Sequence, residues 1–191
     1  MKHQDSPGFT VKRQVLDAEA MRRIIRRMAV EILEKQPNLD DVILVGIRTR
    51  GLPLAERLAD EIEATERRRP PIGALDITFY RDDVSTIGPQ PEVKGSEIDE
   101  PVEDRVIILC DDVLYTGRTV RAALDELGDY GRPRCVRLAV LVDRGHRELP
   151  IHADVVGKTL PTARSALVAV GFSETDGSDF VRLQERVSAD D

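Results

Sequence analysis

The chain has 191 residues, enough for one well-buried domain and too few for two of ordinary size. Hydrophobic residues make up 41% and charged residues 33%, a globular composition that excludes collagen-like and disordered chains. The net charge of -7 excludes a protein that binds nucleic acid through its overall charge, so any polyanion must be bound by a local patch.

The sequence contains neither a membrane segment nor a secretory signal. No apolar run approaches the roughly 18 to 20 residues that span a bilayer, and the first residues, MKHQDSPGFTVKR, have no hydrophobic segment of a signal peptide. We therefore predict a soluble cytoplasmic protein with no membrane partner. Cys110 and Cys135 lie in apolar runs, which favours buried free thiols over a disulfide.

Helix-like and strand-like patterns alternate along the first half of the chain. Apolar residues recur at helical spacing over 17–35, with Asp17 as the predicted N-cap. The following segments are predicted as a strand at 41–47, a helix at 52–66, a strand at 71–80 and a long polar loop at 81–104.

The same alternation continues through the second half. Strands are predicted at 106–110 and 134–142, and a helix at 120–127 ends at Gly128. Two short strands are predicted within HADVVG and SALVAVGF, and a last one at 180–183. Alternating strands and helices predict an α/β fold in which an open, mostly parallel sheet is flanked by helices. We expect the whole chain, 1–191, to form a single domain.

Ligands of open α/β sheets bind beyond the carboxyl ends of the strands, so the loops that follow the apolar runs are the places to look. The acidic pair Asp111 and Asp112 ends one such run, and Thr116 to Thr119 then opens a helix. Adjacent carboxylates suit a ribose diol or a Mg²⁺ complex, and a glycine-containing turn at a helix start suits a phosphate. Singly these residues would be read as turn formers or a cap, whereas together they indicate a site.

This stretch, VIILCDDVLYTGRTV, resembles the phosphoribosyl-diphosphate (PRPP) signature of the type I phosphoribosyltransferases. The segments VGIRTRG, LDITFYRDD, LAVLVDRGHRELPI and ADVVGKTLPT resemble those of the PyrR family, pyrimidine operon attenuation regulators that are also uracil phosphoribosyltransferases. The resemblance covers about residues 12–187 and implies a flexible loop at 81–104 and a small hood at 143–187.

The resemblance implies a reaction of uracil with PRPP that gives UMP and diphosphate, with Mg²⁺ as cofactor. The implied catalytic residues are Asp111, Asp112, Arg48 and Arg50, with Mg²⁺ carried by PRPP near the two aspartates. The other implied PRPP contacts are Thr49, Gly51, Arg81, Val113, Thr116, Gly117, Arg118 and Thr119.

The uracil base is expected near the C-terminal hood. The implied contacts are Asp143, Arg144, Val155, Val156, Gly157 and Lys158. His146 is open between a proton shuttle and a structural loop residue. The sequence contains no Ser-His-Asp set, no zinc-spaced cluster and no Walker A lysine, which argues against the corresponding hydrolases, metalloenzymes and P-loop proteins.

The family also binds pyrimidine-operon leader mRNA in the presence of UMP. Residues of the first helix and of later loops form the implied RNA-binding set, namely Arg22, Arg23, Arg26, Arg27, His152, Lys158 and Arg164. On a helical wheel the four helix arginines lie within roughly 140°. A solvated face balanced by Glu19, Glu31 and Glu34 is the alternative.

The RNA-side residues depart from the family pattern at Val30, His152, Ala163 and Ala166, where polar groups or an arginine are usual. An enzyme that has lost attenuation is therefore one alternative. Two others also stay open, an enzyme acting on another base and, from the acidic pair at a strand end, a receiver-like domain phosphorylated on Asp112. The phosphate turn directly after the acids argues against the last. The family commonly forms homodimers or homotetramers, which the resemblance implies here.

Overall fold

The computed structural model describes residues 8–77 and 95–186. Arg81 and most of the predicted loop at 81–104 therefore lie outside the described residues. The helices are α1 (Ala18–Lys35), α2 (Gly51–Glu66), α3 (Arg118–Gly128) and the short α4 (Ser173–Asp176). The strands are β1 (Phe9–Leu16), β2 (Val42–Ile47), β3 (Ile72–Leu75), β4 (Val106–Leu114), β5 (Cys135–Asp143), β6 (Val155–Thr159), β7 (Leu167–Gly171) and β8 (Phe180–Arg186).

Five parallel strands form the central sheet in the order β3-β2-β4-β5-β6. Apolar β2 is buried along its whole length because its side chains point alternately to two helical layers. Leu44 packs with α1 and α2, whereas Ile43 and Val45 pack with α3. The predicted α/β class, with a mostly parallel sheet flanked by helices, is confirmed.

Helix α1 forms where its periodicity predicts it. Asp17 is the N-cap, and its side chain accepts a hydrogen bond of 2.8 Å from the backbone N–H of Ala20. Met21, Ile25 and Met28 are fully or almost fully buried, while the arginines between them face outward. The apolar stripe therefore fixes which side of α1 remains exposed.

A three-stranded antiparallel sheet, in the order β1-β8-β7, forms the hood together with α4. The strands of this sheet differ in two respects from the hood expected at 143–187. Strand β1 comes from the N-terminal end and was not predicted, and β6, expected inside the hood, pairs in parallel with β5 as the edge of the central sheet. Val170, Phe172 and Val181 pack the hood into the same core as α1 and α2.

Other element boundaries also differ from the predictions. Strand β4 continues to Leu114, so the acidic pair lies within the end of the strand rather than in a turn after it. Helix α3 begins at Arg118 rather than Val120. The strand predicted at 71–80 ends at Leu75. Within the described ranges, no helix is both long and apolar enough to cross a membrane.

The chain passes from β2 into α2 so closely that a side chain at Gly46 has no room. A Cβ there would lie 2.4 Å from Leu52 Cα. We predict that Gly46→Ala lowers the free energy of unfolding by about 1–3 kcal/mol, because backbone atoms must separate to admit the methyl group. Denaturant unfolding measures this change.

Gly128 provides a matched control at the last position of α3, where a Cβ would have no neighbour within 4 Å. Gly128→Ala should be neutral or raise stability by about 0.4–1 kcal/mol, because alanine restricts the unfolded chain. Equal destabilisation by both substitutions would contradict the close approach at Gly46.

Candidate active site

The strand order reverses between neighbouring strands β2 and β4. From β2 the chain moves through α2 to one side, and from β4 it moves through α3 to the other, which opens a crevice at their carboxyl ends. The loop 48–51 follows β2, and the loop 115–117 follows β4. Their approach is tight, since a Cβ on Gly51 would lie 2.2 Å from the carbonyl oxygen of Cys110.

Two carboxyl groups line the β4 side of this crevice. Asp111 is 6% exposed, and its Oδ1 accepts a hydrogen bond of 3.0 Å from the backbone N–H of Asp112. Asp112 Oδ1 accepts from the N–H of Val113 at 2.9 Å. Burial raises the pKa of Asp112, and the nearby charge of Arg50 partly opposes that shift. The fold therefore holds a carboxyl group close to an arginine, where it can contact the hydroxyl groups of a ligand.

The turn before α3 presents backbone N–H groups to the same crevice. Gly117 has a φ of 95°, a conformation that favours glycine, and it forms the N-cap without a side-chain hydrogen bond. Thr116 Oγ1 accepts from the N–H of Arg118 at 3.3 Å. The first turn of α3 contains no acidic residue, so its N–H groups and the helix dipole favour an anion.

The loop 48–51 carries two arginines, and its Arg48–Thr49 peptide bond is cis. Arg48 Nη2 lies 3.1 Å from Glu97 Oε2, while its buried Nε has no partner among the described residues. Arg50 donates from Nε and Nη2 to the two carboxylate oxygens of Asp176, at 3.1 and 2.8 Å. Carboxylates thus contact both of the arginines that are predicted to bind diphosphate.

Arg147 connects the loop after β5 to the loop 115–117 before α3. The sequence analysis did not identify this residue. Its guanidinium donates to the carbonyl oxygens of Tyr115 at 2.7 Å and Ile151 at 3.0 Å, and it pairs with Asp143. Burial alone would raise the pKa of Asp143, but the hydrogen bonds from Arg147 and from the Gly145 N–H lower it. Asp143 is therefore a structural anchor of this loop.

Arg144 and His146 of the same loop are engaged with the segment before β7. Arg144 is 4% exposed, stacks 4.1 Å above the Tyr115 ring and donates to Thr162 Oγ1 at 3.2 Å and to the Ala163 carbonyl at 2.9 Å. Burial lowers the pKa of Arg144. His146 Nε2 lies 2.6 Å from the Thr162 carbonyl oxygen and must be the donor there. This contact favours the structural role for His146.

The four predicted base contacts on β6 are not equivalent. Lys158 lies near the carboxyl end of the strand, where Val142 is its partner on β5. Val155 lies three residues earlier, roughly 10 Å down the strand, and is buried. Gly157 faces α1, since a Cβ there would lie 2.8 Å from Ile24 Cγ2. Lys158 is therefore the best placed of the four to reach a ligand in the crevice.

The predicted RNA face on α1 is exposed but largely paired. Arg23 and Arg26 contact Glu19 and Glu61, respectively, and Arg22 lines a shallow groove with Asp60. Arg27 instead bonds the backbone of the sheet edge, where its Nη2 donates to the carbonyl oxygens of Val156 at 2.9 Å and Gly157 at 2.6 Å. His152 and Arg164 are exposed.

Comparison with known proteins decides the family. The phosphoribosyl transferase domain family matches residues 12–175. The Bifunctional protein PyrR of Clostridium acetobutylicum is 52% identical over 177 residues, which cover 93% of this chain and 99% of that protein. Its counterpart in Alkaliphilus metalliredigens is 55% identical over 170 residues, covering 89% and 93%.

This chain belongs to the PyrR family. A solved hypoxanthine phosphoribosyltransferase from Staphylococcus aureus shares the fold, with a TM-score of 0.64, 18% identity and coverage of 92% of this chain and 93% of that one. The predicted family, the phosphoribosyltransferase class of enzyme and the pairing of uracil phosphoribosyltransferase with pyrimidine regulation are confirmed at the level of the PyrR family. The receiver-like alternative is excluded.

The raised pKa of Asp112 predicts a pH-dependent cost to stability. The folded protein binds a proton on this group more readily than the unfolded chain, so its contribution to stability falls as pH rises from about 4 through the raised pKa. Asp112→Asn should raise the Tm at pH 8, and its difference in Tm from the wild type should narrow toward pH 4.

Asp143→Asn is the control of opposite sign. Because the pKa of Asp143 is lowered, the ionised group stabilises the fold above its unfolded pKa, and this contribution is lost as pH falls through the lowered value. Its removal should lower the Tm at pH 8. Thermal unfolding of both variants across pH 4–8 tests the assignment, and shifts of the same sign at pH 8 would refute it.

Proposed function

We propose that the crevice transfers the phosphoribosyl group of PRPP to uracil, giving UMP and diphosphate. The observation that carries this proposal is the placement of Asp111 and Asp112 on β4 shortly before a helix start whose N-cap is Gly117 and therefore offers no side-chain cap. Carboxylates suit the ribose hydroxyls, and the N–H groups suit the 5′-phosphate. Arg48 and Arg50 face these groups across the crevice and suit the diphosphate.

Each group would act on a different part of the reaction. Departure of diphosphate builds positive charge on the ribose ring, as in other glycosyl transfers, and the carboxylates of Asp111 and Asp112 stabilise that charge. Arg48 donates to the diphosphate once Glu97 gives way. Thr116 and Thr119 supply hydroxyl groups beside the 5′-phosphate, and Lys158 lies at the edge where the base is expected.

The described residues fit a Mg²⁺ ion that PRPP brings with it. No group of three or more acidic, histidine or cysteine side chains within the described ranges could hold a metal alone. Mg²⁺ is commonly held by one or two carboxylates together with substrate phosphates and water, which matches Asp111 and Asp112. When bound, the ion supplies charge stabilisation to the departing diphosphate.

Uracil-dependent turnover tests the enzyme. Asp112→Asn should reduce kcat for UMP formation from uracil and PRPP on the order of 10²- to 10³-fold, because a carboxylate beside the reacting ribose is lost. Asp125 lies on the exposed face of α3 and pairs with Arg121, so Asp125→Asn should leave kcat unchanged. The readout is UMP formation with Mg²⁺ present; wild-type protein that turns over another base but not uracil would contradict the substrate.

We also propose that the exposed face of α1 binds pyrimidine-operon leader mRNA when UMP is bound. The support is the exposed arginines Arg22, Arg23 and Arg26. The ion pairs of Arg23 and Arg26 lie at the surface and exchange readily with phosphates. The same face carries apolar Val30, which is 43% exposed and adds no hydrogen bond. Assembly as a homodimer or homotetramer and residence in the cytoplasm stay predictions.

Titration of leader RNA against salt tests this second activity. Arg26→Gln should weaken UMP-dependent binding several-fold and reduce the salt slope by about one phosphate contact. Arg121→Gln, on the opposite helical layer, should change neither quantity. RNA affinity that is identical with and without UMP would contradict the regulator and leave the enzyme untouched.

A further inference from the structure

Arg50, in the loop 48–51 that is proposed to bind diphosphate, forms an ion pair with a residue of the hood. It immediately precedes α2 and donates from Nε and Nη2 to both carboxylate oxygens of Asp176, at 3.1 and 2.8 Å. Asp176 is the last residue of α4, 126 residues further along the chain. Two parallel bonds between planar groups fix the guanidinium in one orientation, which a single contact would not do.

Asp176 is itself held in place. Its Oδ2 also accepts from Thr175 Oγ1 at 2.7 Å and from the backbone N–H of Phe172 at 3.1 Å. Burial alone would raise the pKa of Asp176, but the hydrogen bonds from Arg50, Thr175 and Phe172 lower it, so the group is ionised at neutral pH. A carboxylate with these partners is a fixed point rather than a mobile surface acid.

A second arginine of α2 anchors the same turn. Arg57 donates from Nε to Glu174 at 2.8 Å and from Nη1 to Asp179 at 2.9 Å, and its guanidinium lies 5.1 Å from the Phe172 ring centroid. These contacts keep α4 against α2 independently of Arg50. The position of Asp176 is therefore defined by the hood and not by the diphosphate loop alone.

The remaining N–H groups of Arg50 are available to a ligand. Its bonds to Asp176 use one edge of the guanidinium, and the described part of the chain supplies no partner for the other donors. Arg50 lies beside the crevice because it directly precedes α2, where Gly51 approaches the Cys110 carbonyl at the end of β4. Arg50 can thus bind an anion with its second edge while Asp176 keeps the first.

The neighbouring Arg48 has a different arrangement. Its partner Glu97 has a side chain that is 73% exposed, and the contact uses a single pair of atoms, Nη2 and Oε2. An exposed single contact is readily exchanged for a ligand phosphate. By contrast, the side chain of Asp176 is 21% exposed and accepts four hydrogen bonds, so ligand binding is expected to leave it in place.

We propose that Asp176 is a positioning residue for diphosphate recognition, which holds Arg50 from the hood side so that its second edge meets the diphosphate of PRPP. This inference rests on the proposed function, since it concerns the same diphosphate site. It adds a residue of the hood to a site whose other members belong to the strands of the central sheet and to the segments that follow them.

Titration with Mg²⁺ and inorganic pyrophosphate tests the proposal without any base. Asp176→Asn keeps the size of the side chain and removes its charge, and it should raise the Kd for pyrophosphate about tenfold. In steady-state assays the KM for PRPP should rise by a similar factor, with the KM for uracil unchanged. Calorimetry of the full-length wild type and variant measures the first quantity.

Glu174→Gln is the matched control, because it removes a carboxylate from the same turn but one that pairs with Arg57. It should loosen α4 as Asp176→Asn does, seen as a lower Tm, yet leave the pyrophosphate Kd unchanged. Equal Kd changes in both variants would show a general effect of the hood and overturn the proposal.

Tighter pyrophosphate binding by Asp176→Asn would also overturn it, since Asp176 would then compete with the ligand for Arg50. Wild-type protein that binds no pyrophosphate would do the same. Failure of the proposed function is seen separately: a wild type that shows the predicted pyrophosphate pattern but forms no UMP from uracil retains the positioning role and loses only the base assignment.

Discussion

The backbone contact between the start of α2 and the end of β4 sets the geometry of the whole site. Gly51 has no side chain, and its Cα comes so close to the Cys110 carbonyl that any Cβ would overlap it. This approach brings the loop with Arg48 and Arg50 alongside the acids of β4 without help from any side chain. The crevice is therefore a property of how two parallel strands and one helix pack, and the charged groups are attached to a frame that packing has already fixed.

At this crevice, aspartates and an arginine stabilise one another's charges beside the place where a polyanionic ligand would bind. Asp112 is ionised less readily than an ordinary carboxyl because it is buried, and Arg50 offsets part of that cost. Arg50 in turn is kept by Asp176, whose ionised form its partners stabilise. A protein of net charge -7 can thus keep two arginines beside the crevice, because each of them is paired with a carboxylate. An anionic ligand would compete only with the exposed carboxylate, that of Glu97.

The fold class and the position of the candidate site at the carboxyl ends of β2 and β4 could be predicted from the sequence, because their signals are local. The apolar run of β2 predicts a buried strand, the helical period of α1 predicts a helix, and DDVLYTGRT predicts a ligand site, each from neighbouring residues alone. The hood could not be predicted in the same way. Strand β1 does alternate apolar Phe9, Val11 and Val15 with polar residues, but its partner β8 lies at the other end of the chain. Nothing near Asp176 indicates an arginine 126 residues away, since such a pair exists only once the hood has packed on α2.

The residues that depart from the family pattern at the expected RNA-binding positions differ in how far they are buried. Val30, His152 and Ala163 are exposed, and their side chains do not pack in the core, so the fold places little restraint on them. Ala166 differs, being only 6% exposed, and there a small apolar side chain is compatible with burial. Arg27 belongs to the framework, because it bonds two carbonyl oxygens at the outer edge of β6. Of the four arginines, Arg27 is therefore the one whose replacement removes hydrogen bonds to the sheet, whereas the three outward ones can change without disturbing it.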